Sequence, residues 1–215
     1  MEILVIGNEF NLQESRQKFG DHHHYHFAES HLEVENYLKS EAVILDFKIG
    51  ADYNQISVYQ NFSGIVFLDV MRNTLDQMIH ESRAIFYGFC GLPTFLNREI
   101  LEVSLGSKSD ENKLKEVCRR LNTKFAIVKD QVGLVTPRVI CQIINEAYFA
   151  IEEKIASRSD IDLAMKLGTN YPYGPFEWGE KIGIKNVYEL LRAIYESSRN
   201  ERYKICELLR NEALD

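Results

Sequence analysis

Residues with chemical potential cluster at a few places in this chain. The apolar run from Met1 to Gly7, MEILVIG, ends in a glycine and leads into Asn8-Glu9-Phe10-Asn11-Leu12. A turn that cradles a dinucleotide pyrophosphate has the form G-x-G-x-x-G, so that the backbone can approach the phosphates and the helix can pack on the sheet. Gly7 supplies the first glycine, but Glu9 and Leu12 stand at the second and third positions. A carboxylate at Glu9 repels a phosphate placed beside it. Glu29 follows the next strand-like segment, where a ribose-binding acid belongs. The histidines His22, His23, His24, His26 and His31 crowd a turn and the edge of a strand. No CxxC or HExxH spacing supports a zinc site, so the expectation is a solvated loop and no metal. Cys90, Cys118, Cys141 and Cys206 show no paired spacing and read as reduced thiols of a cytoplasmic protein.

These residues need elements to hold them. Met1–Gly7 reads as a buried first strand, and Asn11–Phe19 as a polar helix. His24–Phe27 is a candidate second strand, followed by Ala28 and Glu29. A short helix is expected at Leu32–Leu38. Glu41–Phe47 and Gly64–Val70 are apolar strands, with a helix at Thr74–Glu81 and a strand at Ala84–Cys90. Further strands are expected at Ile100–Leu105 and Lys124–Val128, around a helix that Ser109 can cap and that reaches about Leu121. Alternating strands and helices imply a mostly parallel sheet covered on both faces.

Beyond residue 130 the pattern is helical only. Thr136 can cap a long helix with Pro137 in its first turn, and Val139, Ile140, Ile143, Ile144, Ala147 and Ile151 recur at helical spacing. Ser159 with Asp162 has the form of a capping box, Gly168 can close that helix, and Asn200–Asp215 is a last helix. Between the two lies an aromatic turn, Tyr171-Pro172-Tyr173-Gly174-Pro175-Phe176-Glu177-Trp178. The expected architecture is α/β: a shortened Rossmann-like domain over residues 1–130, then an all-helical domain over 131–215.

The net charge of −7 and pI near 5.5 argue against nucleic acid or an anionic membrane as the main partner. No apolar run reaches the length of a membrane span, and the first residues carry no signal-peptide pattern. The apolar fraction of 45% is enough for an ordinary core.

"NEA" in the long helix, then "SDIDLAMKLG", "YPYGPFEW" and "GIKNVYELL", resemble the C-terminal domain of the 3-hydroxyacyl-CoA dehydrogenase family from about Gly133 to Tyr195. The resemblance implies a homodimer through these helices, with the aromatic turn at the domain junction and dimer interface. It further implies NAD as cofactor and an acyl-CoA or other small-molecule ligand in the cleft between the domains. Upstream, Phe86, Gly88 and Ile100-Leu101-Glu102-Val103 align with the family's catalytic segment without a gap. The family's catalytic histidine then falls on Cys90 and its partner glutamate on Glu102. Its asparagine-proline pair falls on Pro93 and Thr94, and its substrate-contacting asparagine on Pro137, before Arg138. Its catalytic serine falls near Asp69.

Cys90 changes the chemistry that the resemblance implies. An imidazole with a pKa of about 6.5 can take a proton from a hydroxyl while a carboxylate fixes its tautomer. A thiol, with a pKa of about 8.5 and one proton site, cannot bridge substrate and carboxylate in that way. No basic residue is positioned by sequence to make Cys90 a thiolate, so its expected role is that of a small buried apolar side chain. Between Asp46 and Gly64 there is little room for the helical excursion that helps family members hold coenzyme A. Two readings follow. One is a dimeric binding or scaffold relative that has lost most hydride transfer. The other is an active NAD-dependent dehydrogenase of 3-hydroxyacyl-CoA or of a smaller 3-hydroxy acid.

Overall fold

The computed structural model describes residues 1–38, 42–79, 82–107 and 109–215. The chain divides into two compact units, Met1–Leu134 and Val135–Asp215.

In the first unit, β1 (Glu2–Ile6), β2 (His24–Ala28), β3 (Val43–Asp46), β4 (Ile65–Asp69), β5 (Ile85–Phe89), β6 (Ile100–Leu105) and β7 (Lys124–Val128) form one sheet. Its seven strands run in the order β2-β1-β3-β4-β5-β6-β7. Every neighbouring pair is parallel except β5 and β6. The central strands are apolar almost throughout because both of their faces are covered. Val5, Leu45, Phe67 and Phe89 lie in one buried cluster, to which α3 (Glu111–Arg120) adds Leu114, Val117 and Cys118. The chain leaves β1 for β2 and then returns past β1 to β3. This reversal opens a crevice beyond the carboxyl ends of the strands, and α1 (Glu9–Phe19) starts at its rim.

The connections differ from the sequence expectations. The segment after β2 is a 3-10 turn over His31–Tyr37 rather than an α-helix. The expected helix at Thr74–Glu81 is a single turn, α2 (Leu75–Met78), with Glu81 outside the described residues. Glu41, expected to begin β3, also lies outside them. Asp110, not Ser109, caps α3, because its carboxylate reaches the Asn112 and Lys113 N–H groups. The Ser109 hydroxyl is engaged elsewhere, accepting from Gly106 N and donating to the Phe86 carbonyl. Between β3 and β4 there are only short 3-10 turns, Ile49–Ala51 and Tyr53–Tyr59.

The second unit is helical: α4 (Thr136–Glu152), α5 (Arg158–Thr169), α6 (Pro175–Ile182), α7 (Ile184–Ser198) and α8 (Glu207–Leu214). Three cap assignments are corrected here. Val135 holds the N-cap position of α4, and Thr136 is already helical. Ser157 caps α5 by accepting the Asp160 N–H. Helix α5 runs through Gly168, where an added Cβ would meet nothing within 4 Å, and ends at Asn170 in the left-handed region. The tail is a 3-10 turn at Glu201–Tyr203 followed by α8, not one helix. It is held by Asn145 of α4, whose amide donates to the Lys204 carbonyl and accepts the Cys206 N–H, both at 2.9 Å. The aromatic turn packs on α6, with Tyr171 and Tyr173 against Trp178 at 5.6 and 6.1 Å between ring centres. Among the described residues no helix is long and apolar enough to cross a membrane.

Candidate ligand site at the carboxyl edge of the sheet

The turn between β1 and α1 is closed by a reciprocal pair of asparagines. Asn8 N donates to Asn11 Oδ1 at 2.9 Å, and Asn11 N donates to Asn8 Oδ1 at 3.0 Å. One of the N–H groups that could meet an anion at this helix start is therefore already bound to a side chain. Gly7 is required for a local reason. A Cβ there would lie 2.5 Å from Asn11 Oδ1, so the space above Gly7 belongs to Asn11. Glu9 is exposed in the first helical turn. Glu29 is exposed directly after Ala28, whose carbonyl accepts the Gly7 N–H at 3.1 Å. Two acidic side chains and a filled turn do not fit a pyrophosphate.

At the end of β3, Asp46 is fully buried. Its Oδ1 accepts the Lys48 and Ile49 N–H groups at 2.9 Å each. Its Oδ2 lies 2.8 Å from His31 Nε2 and accepts the Tyr59 hydroxyl at 2.9 Å. Burial and the adjacent Asp46 hold the Tyr59 phenol well above its ordinary pKa, so it is a donor throughout the accessible pH range. The histidine segment is thus not simply solvated. His31 joins Asp46, His26 pairs with Glu2, and His23 is buried with neither ring nitrogen hydrogen-bonded. Only His22 and His24 of the five are exposed.

Asp69 ends β4 one strand further along. Its Oδ1 accepts Gly91 N at 2.9 Å and Met71 N at 3.3 Å. Cys90 directly follows β5 and is buried, as are the other three free cysteines. Tyr87 pairs with Leu105 and Gly88 with Ser104. The pairing of β5 with β6 stops there, two residues short of Cys90 and Glu102. The close approach needs glycine at position 88, where a Cβ would lie 2.2 Å from Ser104 Oγ. Glu102 is partly exposed on β6, and both it and Cys90 engage neighbouring groups. Pro137 belongs to the second unit, buried in the first turn of α4, and Arg138 beside it stacks over Tyr203 at 5.2 Å. Within the first unit, Gly7, Glu29, Cys90 and Glu102 therefore all lie on or near the carboxyl side of the sheet. Sequence reasoning did not single out Asp46, Tyr59 or Glu14, and it read His31 only as part of a solvated loop. A signal was present for the first of these: Val43-Ile44-Leu45-Asp46, like Val66-Phe67-Leu68-Asp69, is an apolar strand closed by an acid.

Residues 133–213 match the family described as the 3-hydroxyacyl-CoA dehydrogenase C-terminal domain. An 87-residue stretch is 44% identical to 3-hydroxyadipyl-CoA dehydrogenase of Escherichia coli (strain K12), covering 40% of this chain and 18% of that protein. A 114-residue stretch is 29% identical to 3-hydroxybutyryl-CoA dehydrogenase of Bradyrhizobium diazoefficiens, covering 52% of this chain and 39% of that protein. The second match is longer than residues 133–213 and so extends into the first unit. Each match spans well under half of the relative's length. Among solved structures, (S)-3-hydroxybutyryl-CoA dehydrogenase PaaH1 from Ralstonia eutropha aligns with a TM-score of 0.70 at 16% identity, over 98% of this chain and 92% of that one. At that identity the likeness concerns the fold.

Proposed function

We propose that this chain, which belongs through residues 133–213 to the 3-hydroxyacyl-CoA dehydrogenase family, has given up most hydride transfer and serves as a dimeric binding or scaffold relative. The observation that carries this reading is the β1–α1 turn. Asn8 and Asn11 satisfy each other there, Asn11 fills the space above Gly7, and Glu9 and Glu29 add negative charge. NAD is the cofactor that the family suggests, but these residues do not offer its phosphates a cradle. Cys90, at the position where the resemblance places the family's histidine, supports the same reading, since a thiol lacks the second nitrogen through which an imidazole is oriented. Loss of a general base alone lowers a rate by about 10²–10⁴.

Titration of NADH against the full chain, followed by thermal melting, tests the reading. A ligand at 100 times its Kd stabilises a fold by about 2.7 kcal/mol, which is a readily measured shift. The expected result is no shift at millimolar NADH. A clear shift, together with NADH oxidation that depends on acetoacetyl-CoA, would establish the active dehydrogenase instead.

The dimer is supported by apolar side chains left exposed in the second unit: Val139 on α4, Leu163 and Leu167 on α5, and Ile155 between them. Leu163 and Leu167 are 54% and 78% exposed and sit one helical turn apart. Sedimentation at micromolar concentration should give twice the chain mass of 25.0 kDa. A single species at the chain mass removes the dimer.

A further inference from the structure

The loop after β5, Cys90-Gly91-Leu92-Pro93-Thr94-Phe95, is anchored by two acids from different elements. Asp69, closing β4, takes the Gly91 N–H at 2.9 Å. Glu14, on α1, takes the Thr94 N–H on Oε1, also at 2.9 Å. Glu14 is only 4% exposed, and its second oxygen, Oε2, is buried with no hydrogen-bond partner. Thr94 has φ of +74°, the left-handed region, which a β-branched residue occupies only under constraint. The bond to Glu14 therefore holds a backbone that would relax if released. Around the other anchor, Gly91 lies so close to Asp69 that a Cβ would come within 2.8 Å of its Cγ.

An ionised carboxylate with one oxygen buried and unpaired is unfavourable, whereas the neutral acid is tolerated. Burial accordingly pushes the Glu14 carboxyl up to about 7, opposed by the Thr94 N–H. Burial likewise pushes Asp69 up to about 6. The Gly91 N–H, Arg72 and the Met71 N–H pull against it, and the negative charge of Asp46 adds to it.

We propose that the Cys90–Phe95 loop is a proton-controlled latch, closed on Glu14 when this acid is protonated and released when it ionises, with the Asp69–Gly91 contact as its fixed end. The closed form binds the proton more tightly than the open form, so low pH favours closure. For Glu14 the proton-linked contribution to closure is fully present below its ordinary value of 4.5 and is lost as pH rises through about 7. That displacement bounds the change in the closed-to-open ratio at about 300-fold. Because Cys90 is the first residue of the loop, release would alter its position. The latch does not depend on the proposed loss of hydride transfer.

Nuclear magnetic resonance on the labelled full chain tests this. The Glu14 carboxyl carbon and the Thr94 amide should titrate together near pH 7, and the Gly91 amide near pH 6. Thr94 protection from hydrogen exchange, corrected for intrinsic rate, should fall at least about tenfold between pH 5.5 and 8.5. Glu14→Gln keeps an acceptor oxygen but cannot ionise, so it should abolish the Thr94 transition and leave that of Gly91. If Glu14 titrates as an ordinary carboxylate, or if the Thr94 amide is unmoved while Glu14 titrates, the latch is wrong. Should the variant fail to fold, the two wild-type titrations decide by themselves.

Discussion

Asp46→Ala should cost about 3–5 kcal/mol and lower the melting midpoint by on the order of 10 °C. Asp46 is fully buried and serves four donors: the Lys48 and Ile49 N–H groups, His31 and the Tyr59 hydroxyl. Alanine leaves all of them without their acceptor in a dry site, and an orphaned buried donor costs more than its hydrogen bond contributes. The loss also detaches the turns between β3 and β4, since Lys48 and Ile49 begin the first and Tyr59 ends the second. Asp46→Asn should be milder, at about 1–2 kcal/mol. Its oxygen can still serve the two N–H groups, and its amide can donate to the Tyr59 oxygen or to His31 Nε2 in the tautomer that accepts there. A melting midpoint for the alanine variant within about 2 °C of wild type would show that the network contributes little.

The strands were legible because a parallel sheet covered on both faces demands short, uninterrupted apolar runs, and β1, β3, β4 and β5 are such runs. The helix caps were less legible, for a reason visible at α5. Ser157-Arg158-Ser159-Asp160-Ile161-Asp162 contains the pattern Ser-x-x-Asp twice, offset by two residues. Local chemistry allows either serine to cap. The choice is made by Asp162, which stays within α5 while its carboxylate binds the first turn of α6, and that is a tertiary event. In the first unit Gly7 and Glu29 could be placed by counting from the strands. The partners of Asp46 could not, because His31 and Tyr59 come from 3-10 turns whose positions no periodicity announces. Thr94 is harder still: a left-handed threonine runs against its own preference and exists only because Glu14 and the loop around it fix it there.

Gly174→Ala should destabilise the second unit by about 3 kcal/mol or more, although alanine is otherwise a mild replacement. Gly174 sits at the N-cap of α6 with φ of −73°, so the backbone itself would accept a side chain. The obstacle is α5. A Cβ on Gly174 would lie 2.3 Å from Asp162 Cγ and 2.4 Å from its Cα, and a backbone atom cannot swing aside as a side-chain tip can. The two helices touch this closely because Asp162, nearly buried on α5, takes the Phe176 and Glu177 N–H groups at 2.8 and 3.2 Å. Those N–H groups belong to the first turn of α6 and have no partner within their own helix. Alanine would thus force the helices apart and strip α6 of its cap in one step. Gly168→Ala is the control. It lies inside α5 with open space where its Cβ would be, and glycine in a helix interior costs roughly 0.5–1 kcal/mol relative to alanine. The pair should therefore move the melting midpoint in opposite directions, Gly168→Ala upward and Gly174→Ala downward. Equal shifts of one sign would mean that Gly174 answers to helix propensity rather than to contact with Asp162.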